Sequence, residues 1–377
     1  MKNLLIAFCL LSTLNVYSQG DEPEINVAGI RFLDFKNKLP DNLLMSKSVV
    51  LLQLPAESKT SSIRKDWKHM AETAHKVFQE TGIDAVAYYF MDDVIAGLES
   101  RQSFASDMKI RGVEFLIILS DLKLKIKNKD TERYVVLITK FNGESTLMSN
   151  GQVAWKTQSK DLDKSLQKIS KGASKQRLVN ENLLITDYPE LFRDIDVIKG
   201  RRAETYSNSL SVDKVAFASF PLVIIPDDRP GGIINNNIAK EGQAANSRTN
   251  ADNKKLKQML TDYPFEFGIT DAHPDEQALL NQGYSYIIYM LQTTGLGIRY
   301  LLDYEIEEGV SDFITVKQKD GKTTLRNIPT ESPVYKFYLK HIRTKDVYVG
   351  SRWDADESWE DALINFTSNI RRDFKTR

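Results

Sequence analysis

Two stretches of the chain decide its fold: residues 113–119 read VEFLIIL and residues 284–290 read YSYIIYM. Each is a short run of β-branched and aromatic residues, and each follows a glycine, Gly112 or Gly283, that closes a segment with helical spacing. Such runs are typical of buried β-strands that follow a helix. The two runs match almost position by position, which indicates an internal repeat.

The same order of elements surrounds both stretches. Before each come an apolar strand closed by proline (49–55 and 215–221), an amphipathic helix, an aromatic strand and a further helix. After each come two strands, the last of which carries Trp155 or Trp353, and then a closing amphipathic helix. We therefore predict an α/β fold of two similar tandem domains, each a small mixed sheet packed by helices. The alternative is that two unrelated α/β domains share this general order.

The repeat predicts four residues as equivalent markers: Trp155 with Trp353, and Gly112 with Gly283. Both tryptophans are expected to lie in the core of the last strand of their domain, and both glycines to stop a helix. The predicted organisation is a signal peptide (1–19), a first α/β domain (20–178), a connector (179–211) and a second α/β domain (212–377).

Two segments are set apart by their composition. Residues 181–202 of the connector are charged and carry an apolar stripe at helical spacing, so we predict a packed helix there. Residues 226–253 hold few large apolar side chains, so we predict a long mobile loop inside the second domain. The candidate partner-binding residues of this loop are Arg229, Ile233, Ile234 and Asn236. A solvated insertion without function is the open alternative.

The first residues have the layout of a secretory signal: a basic start at Lys2, an apolar run at 4–11, and small or polar residues up to Gly20. The apolar run is too short to span a membrane. Its Tyr17-Ser18-Gln19 ending resembles leaders of Bacteroidetes-type bacteria, which implies a periplasmic protein or one exported to the cell surface. The only cysteine, Cys9, lies in this leader, so disulfides and thiolate chemistry are not expected in the mature chain.

The balance of charged residues bears on which partners to expect. The 377 residues carry 51 basic and 51 acidic side chains. This balance gives no electrostatic reason to expect nucleic acid or an anionic membrane as a partner. No later stretch is long and apolar enough to predict a transmembrane span.

The motifs of common enzyme classes are missing. Four histidines make no metal pair, and no Gly-x-Ser-x-Gly elbow occurs. The Gly295-Leu296-Gly297 segment lacks a third glycine, and residues 298–306 read as strand, which argues against a nucleotide loop. The dense carboxylates at 354–361 are interpreted as a helix cap at Ser358 and Asp361, with a calcium loop as the alternative. We therefore predict no catalytic residue, no cofactor and no metal site.

A family resemblance bears on function. The end of the first half, residues 150–155 (NGQVAW) followed by a helix from Asp161, resembles the closing strand and helix of periplasmic α/β modules of the TolB N-terminal, CsgG and LpoB kind. The second half departs from this pattern, because residues 346–350 (DVYVG) precede Trp353. The resemblance implies an envelope protein that binds other proteins, and it supplies no catalytic residues.

Two functional hypotheses follow. The first is a non-enzymatic, secreted or periplasmic cell-envelope protein that acts through contacts with other envelope proteins in assembly or transport. The alternative is a secreted hydrolase, perhaps acting on glycans, with a carboxylate pair in a cleft between the domains.

Overall fold

The computed structural model describes residues 33–58, 61–64, 66–126, 129–149, 151–192, 203–206, 214–222, 236–304, 311–319 and 322–375. The predicted signal peptide, 1–19, lies outside the described residues. So do three of the candidate partner-binding residues, Arg229, Ile233 and Ile234.

The first half of the chain forms a seven-stranded sheet. Its strands and those of an adjoining hairpin are β1 (Asp34–Lys36), β2 (Lys47–Gln53), β3 (Ala56–Ser58), β4 (Ser61–Arg64), β5 (Asp84–Phe90), β6 (Val113–Ile126), β7 (Lys129–Lys140), β8 (Val153–Ser159) and β9 (Leu191–Phe192). Its helices are α1 (Trp67–Thr81), α2 (Met91–Val94), α3 (Leu98–Ile110) and α4 (Leu162–Gln176). The strand order is β1-β8-β7-β6-β2-β5-β9, and only β7 runs against the others, while β3 and β4 pair separately.

The second half forms a six-stranded sheet. Its strands and those of an inserted hairpin are β10 (Ala203–Thr205), β11 (Lys214–Ala218), β12 (Glu266–Thr270), β13 (Tyr286–Thr294), β14 (Asp312–Lys319), β15 (Lys322–Pro329), β16 (Pro333–His341) and β17 (Val347–Val349). Its helices are α5 (Asn236–Met259), α6 (Glu276–Asn281), α7 (Gly295–Leu301) and α8 (Trp359–Asp373). The strand order is β10-β17-β16-β13-β11-β12, and only β16 runs against the others. The predicted α/β class with mixed sheets is confirmed.

The two sheets have the same sequence of pairings over six strands. Strands β1, β8, β7, β6, β2 and β5 follow one another across the first sheet as β10, β17, β16, β13, β11 and β12 do across the second, with parallel and antiparallel neighbours in the same places. The second half contains an insertion: α7 and the β14–β15 hairpin lie between β13 and β16. In the first half the corresponding strands, β6 and β7, follow each other almost directly.

Alternation along the strands divides the core into three layers. In β2, Val50 and Leu52 face α1 and α4, while Val49 and Leu51 face the opposite side, as expected for successive residues of a strand. The inner faces of both sheets contribute to one apolar cluster that also contains side chains of α2, α3, α6 and α7. The outer face of the second sheet packs against α5 and α8. The two halves therefore share a buried middle layer.

Gly112 and Gly283 stop helices as predicted. They follow α3 and α6 with φ of +71° and +85°, and their N–H groups donate to Lys109 and Leu280. Glycine adopts this left-handed conformation without the steric cost that a Cβ brings.

The predicted closing strand of the second half is wrong at its end. Trp155 lies in β8, buried against the outer core, but β17 ends at Val349 and leaves Trp353 in the following loop. There Trp353 stacks on Phe313 of the inserted hairpin, with ring centroids 4.2 Å apart. In the first sheet Trp155 of β8 lies opposite Ile138 of β7. In the second sheet the matching pair is Tyr348 of β17 opposite Leu339 of β16.

The predicted connector helix is wrong over the described residues, since 179–190 have no regular secondary structure. The backbone is bound by neighbouring elements instead. Glu181 N–H donates to the Leu44 carbonyl at 3.0 Å, and the Asn182 side chain donates to the Gly82 carbonyl at 3.0 Å. These tertiary hydrogen bonds replace the helical pattern that the apolar spacing suggested.

The predicted loop 226–253 is wrong from Asn236 onward, because α5 begins there. Residues 223–235 lie outside the described residues. The segment holds few large apolar residues, but α5 contains four alanines and four lysines, which favour helix, and Ala245 is small enough to be buried in close contact.

Candidate functional site

The first sheet has a cavity at the carboxyl end of β2, beside the part of β6 that extends past it. The chain leaves β2 through α1 toward β5 on one side, and it leaves β6 through a hairpin toward β7 on the other side. The point where connections diverge in this way is the usual ligand site of open α/β sheets. We call this cavity of about 500 Å³ the switch-point pocket.

The wall of the switch-point pocket comes from the end of β2, the middle of the β6–β7 hairpin and the starts of α1 and α4. Its apolar part is Leu54, Met70 and Leu162, and its carboxylates are Asp66, Asp121, Asp161 and Asp163. His69, Thr73, Tyr134 and Lys160 complete it. Its size lies within the roughly 300–1,000 Å³ of small-molecule sites.

Helix capping explains two of these carboxylates. Asp66 accepts a hydrogen bond from the Lys68 N–H at 2.9 Å as the N-cap of α1, and Asp161 accepts from the Lys164 N–H at 3.0 Å as the N-cap of α4. Aspartate is favoured at both positions, because its oxygen satisfies an amide that has no partner in the helix. The two helix starts therefore bring their own negative charge to the pocket.

Asp121 is the most buried carboxylate of the pocket, at 2% exposure. It lies in β6 directly opposite Tyr134 in β7, so the register of the β6–β7 hairpin places an acid and an aromatic residue side by side in the wall. This position results from register alone, and nothing in the local sequence around Asp121 distinguishes it from other strand residues.

The corresponding place in the second half is filled. Leu162 is the first residue of α4, and Trp359 is the first residue of α8. The Trp359 ring packs edge-on against Phe220 with centroids 5.0 Å apart, and Lys255 Nζ lies 5.8 Å from its centre. A bulky indole thus occupies the second half where the first half keeps a leucine.

A second feature is the connector segment, residues 179–190. Leu183, Leu184 and Tyr188 are 86%, 95% and 82% exposed, although the backbone between them is held in place. The His75 ring is bound to the Thr186 carbonyl at 2.8 Å, and the Gln79 amide donates to Asp187 at 3.1 Å. Large apolar side chains are therefore presented to solvent on a fixed backbone.

The acidic cluster at 354–361 binds side chains of the protein itself. Asp354 forms a buried ion pair with Lys336. Its carboxylate also accepts a hydrogen bond from the Asn369 amide at 2.7 Å. Burial raises the pKa of Asp356, which accepts from Thr315 at 3.3 Å and lies 3.6 Å from Arg326. Among the described residues, no group of three or more His, Cys, Asp or Glu side chains could hold a metal ion.

The predicted cap of α8 is confirmed, since the Ser358 side chain accepts from the Asp361 N–H at 3.1 Å. The other two acids of the cluster are paired with cations: Glu357 with Arg326, and Glu360 with Lys255 at 2.8 Å.

Polar contacts also join the two halves. Lys340 of β16 is paired with Glu99 of α3, both nearly fully buried, and with Glu276 at 2.8 Å. Burial alone raises the pKa of Glu276, but hydrogen bonds from Lys340 and Lys345 outweigh it and lower that pKa below the ordinary value. Thr293 donates to Asp93 at 2.6 Å, again across the halves. Burial, together with Arg101 of α3, lowers the pKa of His273.

The Gly295-Leu296-Gly297 segment was wrongly predicted to continue as strand, because α7 begins at Gly295. Thr294 caps this helix by accepting from the Gly297 N–H at 3.0 Å. A Cβ on Gly297 would come within 2.2 Å of an Asp93 carboxylate oxygen, so a side chain of the first half already occupies the space beside this turn.

The sequence-predicted site residues do not converge. Asn236 is the first residue of α5, and the other three partner-binding candidates lie outside the described residues. The switch-point pocket was missed, although the helix-capping acids after β2 and β8 were a usable signal. Its depth depends on Asp121 and Tyr134, which only strand register brings together.

No helix in the described ranges combines the length and the apolar character that crossing a bilayer requires. In comparisons with known proteins, no family model, no curated protein and no solved structure matches this chain, so the geometry above carries the functional argument alone.

Proposed function

We propose that this chain is an exported cell-envelope protein without enzymatic activity that acts through contacts with other envelope proteins, in assembly or transport. The observation that carries the proposal is the connector segment, where Leu183, Leu184 and Tyr188 are exposed on a fixed backbone. These three side chains lie within six residues of the chain, and contiguous exposed apolar surface marks sites of protein contact. A backbone already ordered before binding lowers the entropic cost of association.

The proposed export rests on the sequence of residues 1–19. Their basic, apolar and small-residue order supports a secretory leader, and the Tyr17-Ser18-Gln19 ending supports a periplasmic or surface location. A direct check is the N-terminal sequence of the protein recovered from the periplasm, which we expect to begin near Gln19 or Gly20. Recovery of the full-length chain from the cytoplasm alone would refute export.

We further propose that the halves are tandem copies of one ancestral α/β unit, as in the resemblance to TolB, CsgG and LpoB modules. The shared order and direction of six strands support this, as do Gly112 and Gly283 at matching helix ends. In this alignment Tyr348, not Trp353, is the counterpart of Trp155. The insertion of α7 and β14–β15 accounts for the displacement of Trp353 toward Phe313.

Replacing Leu183 and Leu184 by serine tests the contact proposal. Both side chains are exposed, so we expect thermal stability to stay nearly unchanged while co-purification of envelope partners is lost. The matched control is Leu325→Ser, which removes a 72% exposed leucine from the inserted hairpin. If the double variant recovers the same partners as wild type from cross-linked envelopes, the connector segment is not the contact surface.

A further inference from the structure

The outer edge of the second sheet differs from the matching edge of the first. β5 and β12 are the sixth strands of the shared order, and β9 covers the far side of β5 in parallel, with Leu191 opposite Tyr88. Over the residues that the structure describes, no strand covers the far side of β12. The first half therefore shows how such an edge accepts a strand, and the described part of the second half offers the same edge without one.

Hydrogen bonds show which main-chain groups of β12 face the open side. The Thr270 carbonyl accepts from the Ser219 N–H at 3.0 Å, so the main-chain groups of Thr270 face β11. Because these groups point to alternate sides along a strand, the N–H and carbonyl groups of Phe267 and Ile269 lie at the open edge. A row of such groups is what an added strand pairs with.

The register of the two sheets identifies the donor that an added strand would use. Through β11, Ile269 shares a level with Ile288, and through β2, Tyr88 shares a level with Ile117. Ile117 and Ile288 hold the same place in the two matched stretches of the sequence. The Tyr88 N–H donates to the Glu190 carbonyl, next to β9, at 3.0 Å. The Ile269 N–H is therefore the counterpart of a donor that already binds a strand in the first half.

A cavity of about 220 Å³ lies beside this edge, between β12 and α6. Its wall includes Gly268, Thr270, Leu279 and Tyr284. The cavity lies on the inner side of the strand, because Gly268 is paired with Ala216 of the shared apolar layer. Its volume is below the roughly 300–1,000 Å³ of small-molecule sites, so it suits one side chain better than a complete ligand.

β12 has few of the features that protect edge strands from pairing. Proline, lysine and bulges are common there, but β12 has an unbroken register over its whole length and one charged residue, Glu266. Ile269 is 38% exposed, whereas Tyr88 is fully buried beneath the covered edge. An apolar side chain thus remains partly uncovered at the level where the first half has its added strand.

We propose that β12 binds an extended segment of a partner protein, which runs parallel to it as an added strand of the second sheet, in the way that β9 runs along β5. The segment has an aliphatic residue opposite Ile269, as Leu191 lies opposite Tyr88, and its next side chain points to the inner side, where the cavity lies. In such strand addition, main-chain hydrogen bonds give affinity and alternate side chains give specificity. The edge is separate from the connector segment, so this inference does not rest on the proposed function.

A blocked peptide of residues 187–194 (DYPELFRD) copies β9 and its flanks, and isothermal titration of the full chain with this peptide tests the proposal. We expect one site with a dissociation constant below about 1 mM. Ile269→Pro removes the outward N–H and leaves the ladder to β11 intact, because that N–H does not face β11. This variant should bind the peptide at least about tenfold more weakly.

The matched control is Ile269→Thr, which removes the same partly exposed apolar side chain but keeps the N–H and a β-branched residue. Its affinity for the peptide should stay within about threefold of wild type. Equal weakening by Ile269→Pro and Ile269→Thr would overturn the proposal, since the main-chain donor would then have no part in binding.

The peptide supplies a second matched pair. The Glu190 carbonyl faces β5, so the N–H of Phe192 faces the same side and the N–H of Leu191 faces away. N-methylation of the peptide at Phe192 should therefore abolish binding, while N-methylation at Leu191 should preserve it. If Ile269→Pro fails to fold, this pair decides the question.

Hydrogen exchange identifies what covers the edge. We expect the amides of Phe267 and Ile269 to exchange rapidly in the free chain and slowly with the peptide bound. Amides that are protected in the free chain and unchanged by the peptide would mean that the chain covers its own edge. A dimer that Ile269→Pro dissociates would mean that a second copy covers it. Either result would overturn the proposal, as would the absence of peptide binding at millimolar concentration.

Discussion

Lys340 connects the two halves through the ion pair with Glu99, in a place where both side chains are almost fully removed from water. Removing one partner of such a pair leaves a charge that the interior cannot solvate. We therefore predict that Lys340→Met lowers the free energy of unfolding by about 3 kcal/mol. Urea denaturation followed by circular dichroism measures the change.

Lys345 provides the control, because it is paired with Glu276 but is 38% exposed. Lys345→Met should cost less than about 1 kcal/mol, since solvent already weakens that pair. Adding Glu99→Gln to Lys340→Met should restore part of the lost stability, because the carboxylate charge is then gone as well. Equal losses of unfolding free energy in Lys340→Met and Lys345→Met would mean that burial does not determine how much each ion pair contributes.

Helix α5 shows at the scale of one element why composition misled the loop prediction. Ala245 faces the protein and is 5% exposed, while the neighbouring Ala244 is exposed. We predict that Ala245→Asp lowers the free energy of unfolding by at least about 2 kcal/mol, since it buries a charge against a packed surface. Ala244→Asp should change it by less than about 0.5 kcal/mol. Thermal unfolding of both variants compares them, and equal behaviour would contradict the packed helix.

Other elements were predictable to different degrees. The strands at 113–119 and 284–290 were predicted because their apolar runs are long and follow glycine stops. The connector was not, because Leu183, Leu184 and Tyr188 turn out to be exposed, and hydrogen bonds from Glu181 N–H to Leu44 and from the Asn182 side chain to Gly82 hold this segment instead. A tertiary hydrogen bond to a distant loop leaves no periodic signal in the chain.

At the scale of the whole molecule, the order of elements was recoverable from the sequence and the candidate site was not. Order follows from the succession of apolar runs, helices and glycine stops along the chain. The switch-point pocket depends on which strands become neighbours, since Leu54, Asp121 and Asp161 come from separate parts of the sequence. The sequence also gave no indication that the inner faces of the two sheets would share one apolar layer.

That shared layer predicts how the molecule unfolds. Because side chains of both halves pack in one cluster and Lys340 pairs with Glu99 across them, neither half can unfold without exposing the inner face of the other. We predict a single cooperative transition in urea, instead of the two transitions expected for independent domains.

The four tryptophans allow a direct test, since Trp67 and Trp155 belong to the first half and Trp353 and Trp359 to the second. Replacing either pair by phenylalanine leaves fluorescence that reports one half, and the two curves should match circular dichroism measured on the same variant. A reporter of one half that changes well before the circular dichroism signal would show that the halves unfold independently and that the shared layer contributes little to their coupling.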